Sequence, residues 1–79
     1  LMLAEQPFLN DPKSALQQWA LKRRLGMPDY LVVHRDGPDH APIFTVEVTV
    51  RGQSPATATG KSRQEAEKAA ATLLLKSLE

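Results

Sequence analysis

The segment from Gly60 to Ala71 opens a predicted helix and carries basic side chains on both sides of its cap. Ser62 and Glu65 are three residues apart, so Ser62 can cap the Glu65 amide while the Glu65 carboxylate reaches back. Lys61 and Arg63 then stand beside free backbone N–H groups and the positive end of the helix dipole. This arrangement suits a phosphate group. A capped surface helix without a ligand has the same composition, so other parts of the chain must decide between these interpretations.

Composition limits the other kinds of chemistry. The 79 residues are enough for one small domain. The sequence has no cysteine, which excludes a disulfide framework, a thiolate metal site and a cysteine nucleophile. Its two histidines, His34 and His40, and its scattered carboxylates predict neither a metal cluster nor a nucleophilic triad. We therefore expect no catalytic residue, no metal site and no cofactor in this chain.

Charge and hydropathy restrict the partners and the location. Ten Lys and Arg residues against nine Asp and Glu residues give a net charge of +1, so a polyanion must bind to a local patch. No apolar run is long enough to span a bilayer, and Leu1 to Ala4 is too short for a signal peptide. The lack of cysteine suits a reducing compartment. We expect a soluble cytoplasmic protein with no membrane partner.

Helices are predicted near both ends of the chain. Asp11 and Pro12 offer a cap and a first helical residue, and the helix should run from Pro12 to about Arg24. Its apolar arc consists of Ala15, Leu16, Trp19 and Ala20. The second helix should run from Ser62 to about Leu78, with a buried arc of Ala66, Ala69, Ala70, Leu73 and Leu74. Residues 1–10 show no clear period and are interpreted as a linker or a cloning remnant.

Three strands are predicted between the helices. Tyr30 to His34 is a β-branched apolar run, and Ile43 to Val50 alternates apolar and polar residues. A weaker strand is expected near Pro55 to Thr59, after a tight turn. The order predicts an α+β fold, α-β-β-β-α, in which a three-stranded antiparallel sheet carries two helices on one face.

Three motifs in this order resemble those of a double-stranded RNA-binding domain: Asp11-Pro12-Lys13-Ser14-Ala15-Leu16-Gln17, Gly37-Pro38-Asp39-His40 and Gly60-Lys61-Ser62-Arg63. The chain looks most like the C-terminal domain of bacterial ribonuclease III, over about residues 11–78. The resemblance implies one domain at 11–79 whose partner is double-stranded RNA. Such domains recognise the A-form shape, through minor-groove 2′-hydroxyls and through phosphates, more than the base sequence.

The resemblance also implies which residues contact RNA. The first helix and the loop between the first two strands would reach two successive minor grooves, and the start of the second helix would span the phosphates between them. His40 would probe a groove, while Lys61 and Arg63 would be the main phosphate ligands. The implied RNA-binding residues are Ser14, Gln17, Gln18, Pro38, Asp39, His40, Lys61, Arg63 and Gln64.

Some residues depart from the family pattern. Many members carry two consecutive lysines and a third lysine three residues later, where this chain has Arg63, Gln64 and Glu67. Gln64 can still bond a phosphate oxygen, Glu67 should repel one, and Lys68 is a partial substitute. Leu21 stands where the family often has a polar contact. We therefore expect modest affinity.

The acidic signature of the ribonuclease III catalytic domain does not occur here, so the fragment should bind RNA without cleaving it. Magnesium, processing of RNA including ribosomal RNA, and homodimerisation would belong to the complete bacterial enzyme, and the isolated domain should be a monomer. The alternative is a degenerate domain that binds proteins or dimerises. It would use the outer side of the third strand, or Leu75 and Leu78. His34 is assigned a structural role.

Overall fold

The computed structural model describes residues 11–78, which form two helices and one antiparallel sheet. Residues 1–10, for which a linker is predicted, lie outside this range. The elements are, in chain order, α1 (Pro12–Lys22), β1 (Asp29–Asp36), β2 (Ile43–Thr49), β3 (Ala56–Gly60) and α2 (Arg63–Leu78). The predicted α-β-β-β-α order is confirmed.

Helix α1 begins as the sequence predicts and ends two residues earlier. The Asp11 carboxylate accepts a hydrogen bond from the Lys13 amide at 3.2 Å, and Pro12 is the first helical residue. The end is a reversal in which Arg24 has a left-handed φ of 58° and the Leu25 amide donates to the Ala20 carbonyl. A left-handed residue cannot continue a right-handed helix, so α1 stops at Lys22.

Strand β2 is the centre of the sheet, with β1 on one side and β3 on the other. Strand β1 is longer than predicted because its pairing with β2 extends from Asp29, opposite Thr49, to Asp36, opposite Ile43. The register shifts between Val32 and His34, which marks a bulge. The residues at both ends of β1 are held in the strand by pairing with β2. Their local composition therefore did not predict them.

The core lies between the inner face of the sheet and the two helices. Val46 and Val48 of β2 are buried against the small residues of α2, and α1 packs beside α2. The core residues are Leu16, Ala20, Val46, Val48, Val50, Ala66, Ala70, Ala71 and Leu74. Neither of the two helices within residues 11–78 combines the length and hydropathy needed to cross a membrane.

The buried face of α2 differs from the predicted arc. Leu73 was predicted to be buried but is 48% exposed, and Ala71 is buried instead. The face is rotated because α2 contacts α1 as well as the sheet. This rotation also brings Glu67 to the interior side of the helix.

Candidate nucleic-acid interface

One face of α1 presents polar groups to solvent. Gln17 and Gln18 are exposed, Ser14 is half-buried, and the buried Leu16 lies on the other side of the helix. Leu21 shares the polar face and is 46% exposed. Amides and hydroxyls donate and accept hydrogen bonds, as contact with 2′-hydroxyls requires. The predicted α1 residues therefore lie together on one accessible surface.

The loop between β1 and β2 is held by its own backbone. Gly37 has a φ of 85°, and its amide donates to the Asp36 carboxylate at 2.8 Å. The Ala41 amide donates to the Pro38 carbonyl at 2.9 Å. A Cβ atom on Gly37 would lie 2.7 Å from the Ala41 oxygen, so only glycine fits. This tight loop leaves Pro38, Asp39 and His40 exposed.

Arg35 is a neighbour of the loop that sequence reasoning missed. Its guanidinium lies over the Phe44 ring, 5.7 Å from the centroid, and its Nη2 is 3.8 Å from the Asp39 carboxylate. Arg35 and Phe44 face each other across β1 and β2. The arginine thus packs on the strands, and its contact with the fully exposed Asp39 is a weak surface pair. Only the strand register could have indicated the pairing of Arg35 with Phe44.

The start of α2 has the predicted cap. The Glu65 amide donates to the Ser62 hydroxyl at 3.1 Å. Among residues 11–78, the Glu65 carboxylate forms no return bond to Ser62, so the reciprocal half of the predicted capping box is not present. Lys61, Arg63 and Gln64 are exposed around this turn.

A groove joins the loop to the start of α2. It has a volume of about 290 Å³, and both His40 and Lys61 line it, together with Ala41, Pro42 and Ile43. The sequence places His40 and Lys61 twenty-one positions apart. The fold makes them neighbours, so one ligand can contact both.

Glu67 joins the start of α2 to α1. It is only 8% exposed, and its carboxylate oxygens accept from Lys13 Nζ and, at 3.0 Å, from Arg63 Nε. Burial raises the pKa of Glu67, but the hydrogen bonds from Lys13 and Arg63 outweigh burial and leave this pKa below its usual range. The sequence predicts that Glu67 repels a phosphate; in the fold its carboxylate is paired with two cations.

The surface suggested for protein binding also differs from the expectation. Leu75 and Leu78 pack against the core, and the outward residues of β3 include the exposed threonines Thr57 and Thr59. The exposed apolar side chains of the sheet instead belong to β1 and the start of β2: Leu31, Val33 and Ile43. The alternating pattern had not shown which face of β1 the helices would cover.

The other residues that could act as catalysts or metal ligands do not form a cluster in the described structure. His34 lies in β1 opposite Thr45 and is exposed, so it is not part of the buried structure. Within residues 11–78, no group of three or more His, Cys, Asp or Glu side chains could hold a metal ion.

Comparison with known proteins identifies the family. Residues 12–78 match the family model of the double-stranded RNA binding motif. The chain therefore belongs to the family of double-stranded RNA-binding domains. A solved structure of Arabidopsis HYL1 has a TM-score of 0.75 and 35% identity, covering 85% of this chain and 94% of that one. The predicted fold is confirmed.

Ribonucleases are among the relatives. Ribonuclease 3 of Caulobacter vibrioides is 65% identical over 65 residues, which cover 82% of this chain and 28% of that protein. Ribonuclease 3 of Phenylobacterium zucineum is 48% identical over 71 residues, covering 90% of this chain and 30% of that protein. The predicted likeness to the RNA-binding domain of ribonuclease III is confirmed. The chain spans less than a third of the length of these two relatives.

Proposed function

We propose that this domain binds double-stranded RNA through three surfaces, α1, the β1–β2 loop and the start of α2, and serves as the substrate-binding part of a ribonuclease III. The observation that carries the proposal is the groove shared by His40 and Lys61 in a chain of this family. It joins a loop suited to a minor groove to a helix start suited to phosphates. Minor grooves and the phosphates between them recur along A-form RNA at a fixed spacing.

The polar face of α1 would provide the contacts that distinguish RNA from DNA. Ser14, Gln17 and Gln18 can donate to and accept from 2′-hydroxyls in the wide, shallow minor groove of RNA. In the loop, Pro38 and Asp39 help to present His40, whose neutral imidazole can bond a 2′-hydroxyl. Duplex DNA lacks the 2′-hydroxyl. Binding should therefore rank duplex RNA above duplex DNA.

The start of α2 would provide contacts that do not depend on base sequence. Lys61 and Arg63 are exposed cations beside the first turn, where backbone N–H groups and the helix dipole favour an anion. Gln64 can add a neutral hydrogen bond, and Lys68 lies one turn further along the same side. These contacts would bridge the phosphates between the two minor grooves.

Fluorescence anisotropy with a blunt RNA duplex, a DNA duplex of equal length and single-stranded RNA tests the proposal. Duplex RNA should bind most tightly. Lys61→Ala should weaken binding and flatten the dependence of log affinity on log salt by about one unit, because one phosphate contact is lost. Gln17→Ala, the neutral counterpart, should cost up to about tenfold in affinity with the slope nearly unchanged.

Equal affinity of the protein for RNA and DNA duplexes would refute the minor-groove mechanism. If the variants fold, by circular dichroism, and none changes RNA affinity, the assigned surface is wrong. The protein-binding alternative would then be preferred, with the exposed apolar residues Leu31, Val33 and Ile43 as its starting point.

The proposal places cleavage elsewhere in a complete enzyme. A magnesium-dependent endoribonuclease needs clustered carboxylates to hold its metal ions, and we assign these, together with homodimer contacts, to a separate catalytic domain. The setting would be RNA processing, including that of ribosomal RNA, in a bacterial cytoplasm. The isolated domain should be a monomer by light scattering and should leave duplex RNA intact in magnesium. Cleavage that co-purifies with the folded domain would contradict this assignment.

A further inference from the structure

Glu67 places a carboxylate beside the proposed phosphate-binding surface, where a negative charge should weaken RNA binding. It is the one charged residue that is buried within residues 11–78. A buried charge is costly unless it is paired and hydrogen-bonded. The Glu67 carboxylate meets both requirements, and the residues that pair with it indicate its role.

Each oxygen of the Glu67 carboxylate has a basic partner. Oε1 accepts from Lys13 Nζ of α1, and Oε2 accepts from Arg63 Nε of its own helix. Lys13 is itself held over the Tyr30 ring, 5.1 Å from the centroid. Because Lys13 occupies one oxygen, the carboxylate is not free to turn away from Arg63.

The bond to Arg63 uses only one of the guanidinium nitrogens. Nε donates to Glu67 at 3.0 Å, and the side chain is still 62% exposed. Within the described part of the chain, the Nη1 and Nη2 groups donate to no protein acceptor. A guanidinium is planar and rigid, so fixing Nε also fixes the directions of the other N–H groups. Arg63 therefore presents its two NH2 groups to solvent in a preset orientation.

We propose that Glu67 is a positioning residue for RNA binding, which holds the Arg63 guanidinium so that its outer N–H groups meet a phosphate of the duplex. This inference rests on the proposed function. Holding the guanidinium before RNA arrives lowers the ordering cost that an arginine pays on binding. Glu67 itself touches no RNA and acts through Arg63.

The sign of one mutational effect separates this role from simple repulsion. If Glu67 merely repels phosphate, removing its charge should tighten RNA binding. If it positions Arg63, removing its acceptor oxygens should weaken binding although the net charge becomes more positive. Glu65 is a matched control, because it is an exposed carboxylate on the same helix with no ion pair among residues 11–78.

The experiment measures the affinity of Glu67→Leu, Glu67→Gln and Glu65→Gln for a blunt RNA duplex over a range of salt concentrations. Glu67→Leu, which lacks an acceptor, should bind about three- to tenfold more weakly. The slope of log affinity against log salt should also fall in this variant, because Arg63 would no longer be held against a phosphate. Glu67→Gln keeps one acceptor oxygen and should lie between Glu67→Leu and the wild type. Glu65→Gln should bind as tightly as the wild type or more tightly.

A double-mutant cycle tests the connection to Arg63. In an Arg63→Ala background, Glu67→Leu should cause no further loss of affinity. Arg63→Lys keeps the charge at an exposed position but lacks the Nε donor, so it should also weaken binding. This variant tests the proposal even if Glu67→Leu does not fold, which circular dichroism would reveal.

The outcomes distinguish this inference from the proposed function. If the wild-type domain does not prefer duplex RNA, the proposed function fails. If the wild type binds RNA but Glu67→Leu and Arg63→Lys bind equally well or better, the domain binds RNA and Glu67 does not position Arg63.

Discussion

At the residue scale, Tyr30 carries a buried polar group that lacks a hydrogen bond in the described structure. Its hydroxyl is buried and has no hydrogen-bond partner among residues 11–78. Burial, with smaller effects of the nearby Glu67 and Asp11 carboxylates, raises the pKa of Tyr30 to about 12. All three influences disfavour the tyrosinate anion. Tyr30 should therefore make the fold sensitive to alkaline pH.

The sequence contains a single tyrosine, so tyrosinate absorbance reports on Tyr30 alone. We expect a midpoint near 12 in the folded protein and near 10 in denaturant. Because the pKa of Tyr30 is higher in the folded protein, the neutral hydroxyl favours the folded state. This contribution of Tyr30 to the free energy of unfolding is complete below pH 10 and is lost between about pH 10 and 12. Tyr30→Phe should remove this part of the alkaline transition in thermal melts. A folded midpoint close to 10 would contradict the assigned burial.

Arg24 provides a second test at this scale, because it is the one non-glycine residue of the described chain with a positive φ. A left-handed conformation strains a residue that has a Cβ atom. Arg24→Gly should raise the free energy of unfolding by roughly 0.5 to 1 kcal/mol, measured by urea denaturation. Arg23→Gly, one residue earlier, should give no such gain. A loss of stability in Arg24→Gly would show that the arginine side chain matters more than the backbone strain.

At the scale of elements, the proposed RNA-binding surface depends on how the chain passes from β3 into α2. A Cβ atom on Gly60 would lie 2.4 Å from the Ala66 amide nitrogen, so strand and helix approach closely there. This contact sets the position of Lys61 and of the first turn of α2. The motif that resembles the family thus has a packing role besides the binding role proposed for it.

Gly60→Ala tests that role. The added methyl group meets backbone atoms, so we expect a loss of about 1 to 3 kcal/mol in the free energy of unfolding, together with weaker RNA binding. Gly52→Ala is the control, because Gly52 has open space around it and lies in the turn between β2 and β3. Its positive φ should cost stability, but RNA affinity under folding conditions should be unchanged. If Gly60→Ala bound RNA as tightly as Gly52→Ala, the close approach at Gly60 would not position the binding surface.

At the scale of the whole molecule, two links connect the three surfaces. The His40–Lys61 groove joins the loop to the start of α2, and the Lys13–Glu67–Arg63 ion pairs join α2 to α1. Binding should therefore require a duplex long enough to meet all three surfaces. Domains of this class span about 16 base pairs.

Duplex length provides the corresponding test. A duplex of about 16 base pairs should bind much more tightly than one of half that length, because the shorter duplex cannot reach the loop and α1 together. His40→Ala should weaken binding to the long duplex more than to the short one. If affinity depended only on the number of phosphates and not on simultaneous contact, the His40→Ala effect would be the same for both lengths.

Much of this fold could be predicted because its determinants are local. Asp11 and Pro12 mark the start of α1, Ser62 caps α2, and the alternation around Val46 and Val48 defines β2. Each pattern depends on residues within one or two turns or along one strand. Three motifs in a fixed order then indicated the family and its partner.

The tertiary structure alone decided how these pieces meet. The exposure of Leu73, the Arg35 contacts with Phe44 and Asp39, and the pairing of Glu67 with Lys13 and Arg63 were absent from the prediction. The exposure of Leu73, the Arg35–Phe44 contact and the Lys13–Glu67 pair depend on the rotation or register of one element against another, which no local pattern encodes. The Arg63–Glu67 pair is different, because these residues are four apart on α2 and helical spacing alone brings them together. Glu67 shows the consequence most clearly, since its position in sequence suggested repulsion of RNA. In the fold it is buried on the side of α2 that meets α1, where hydrogen bonds from Lys13 and Arg63 hold its pKa below the usual range.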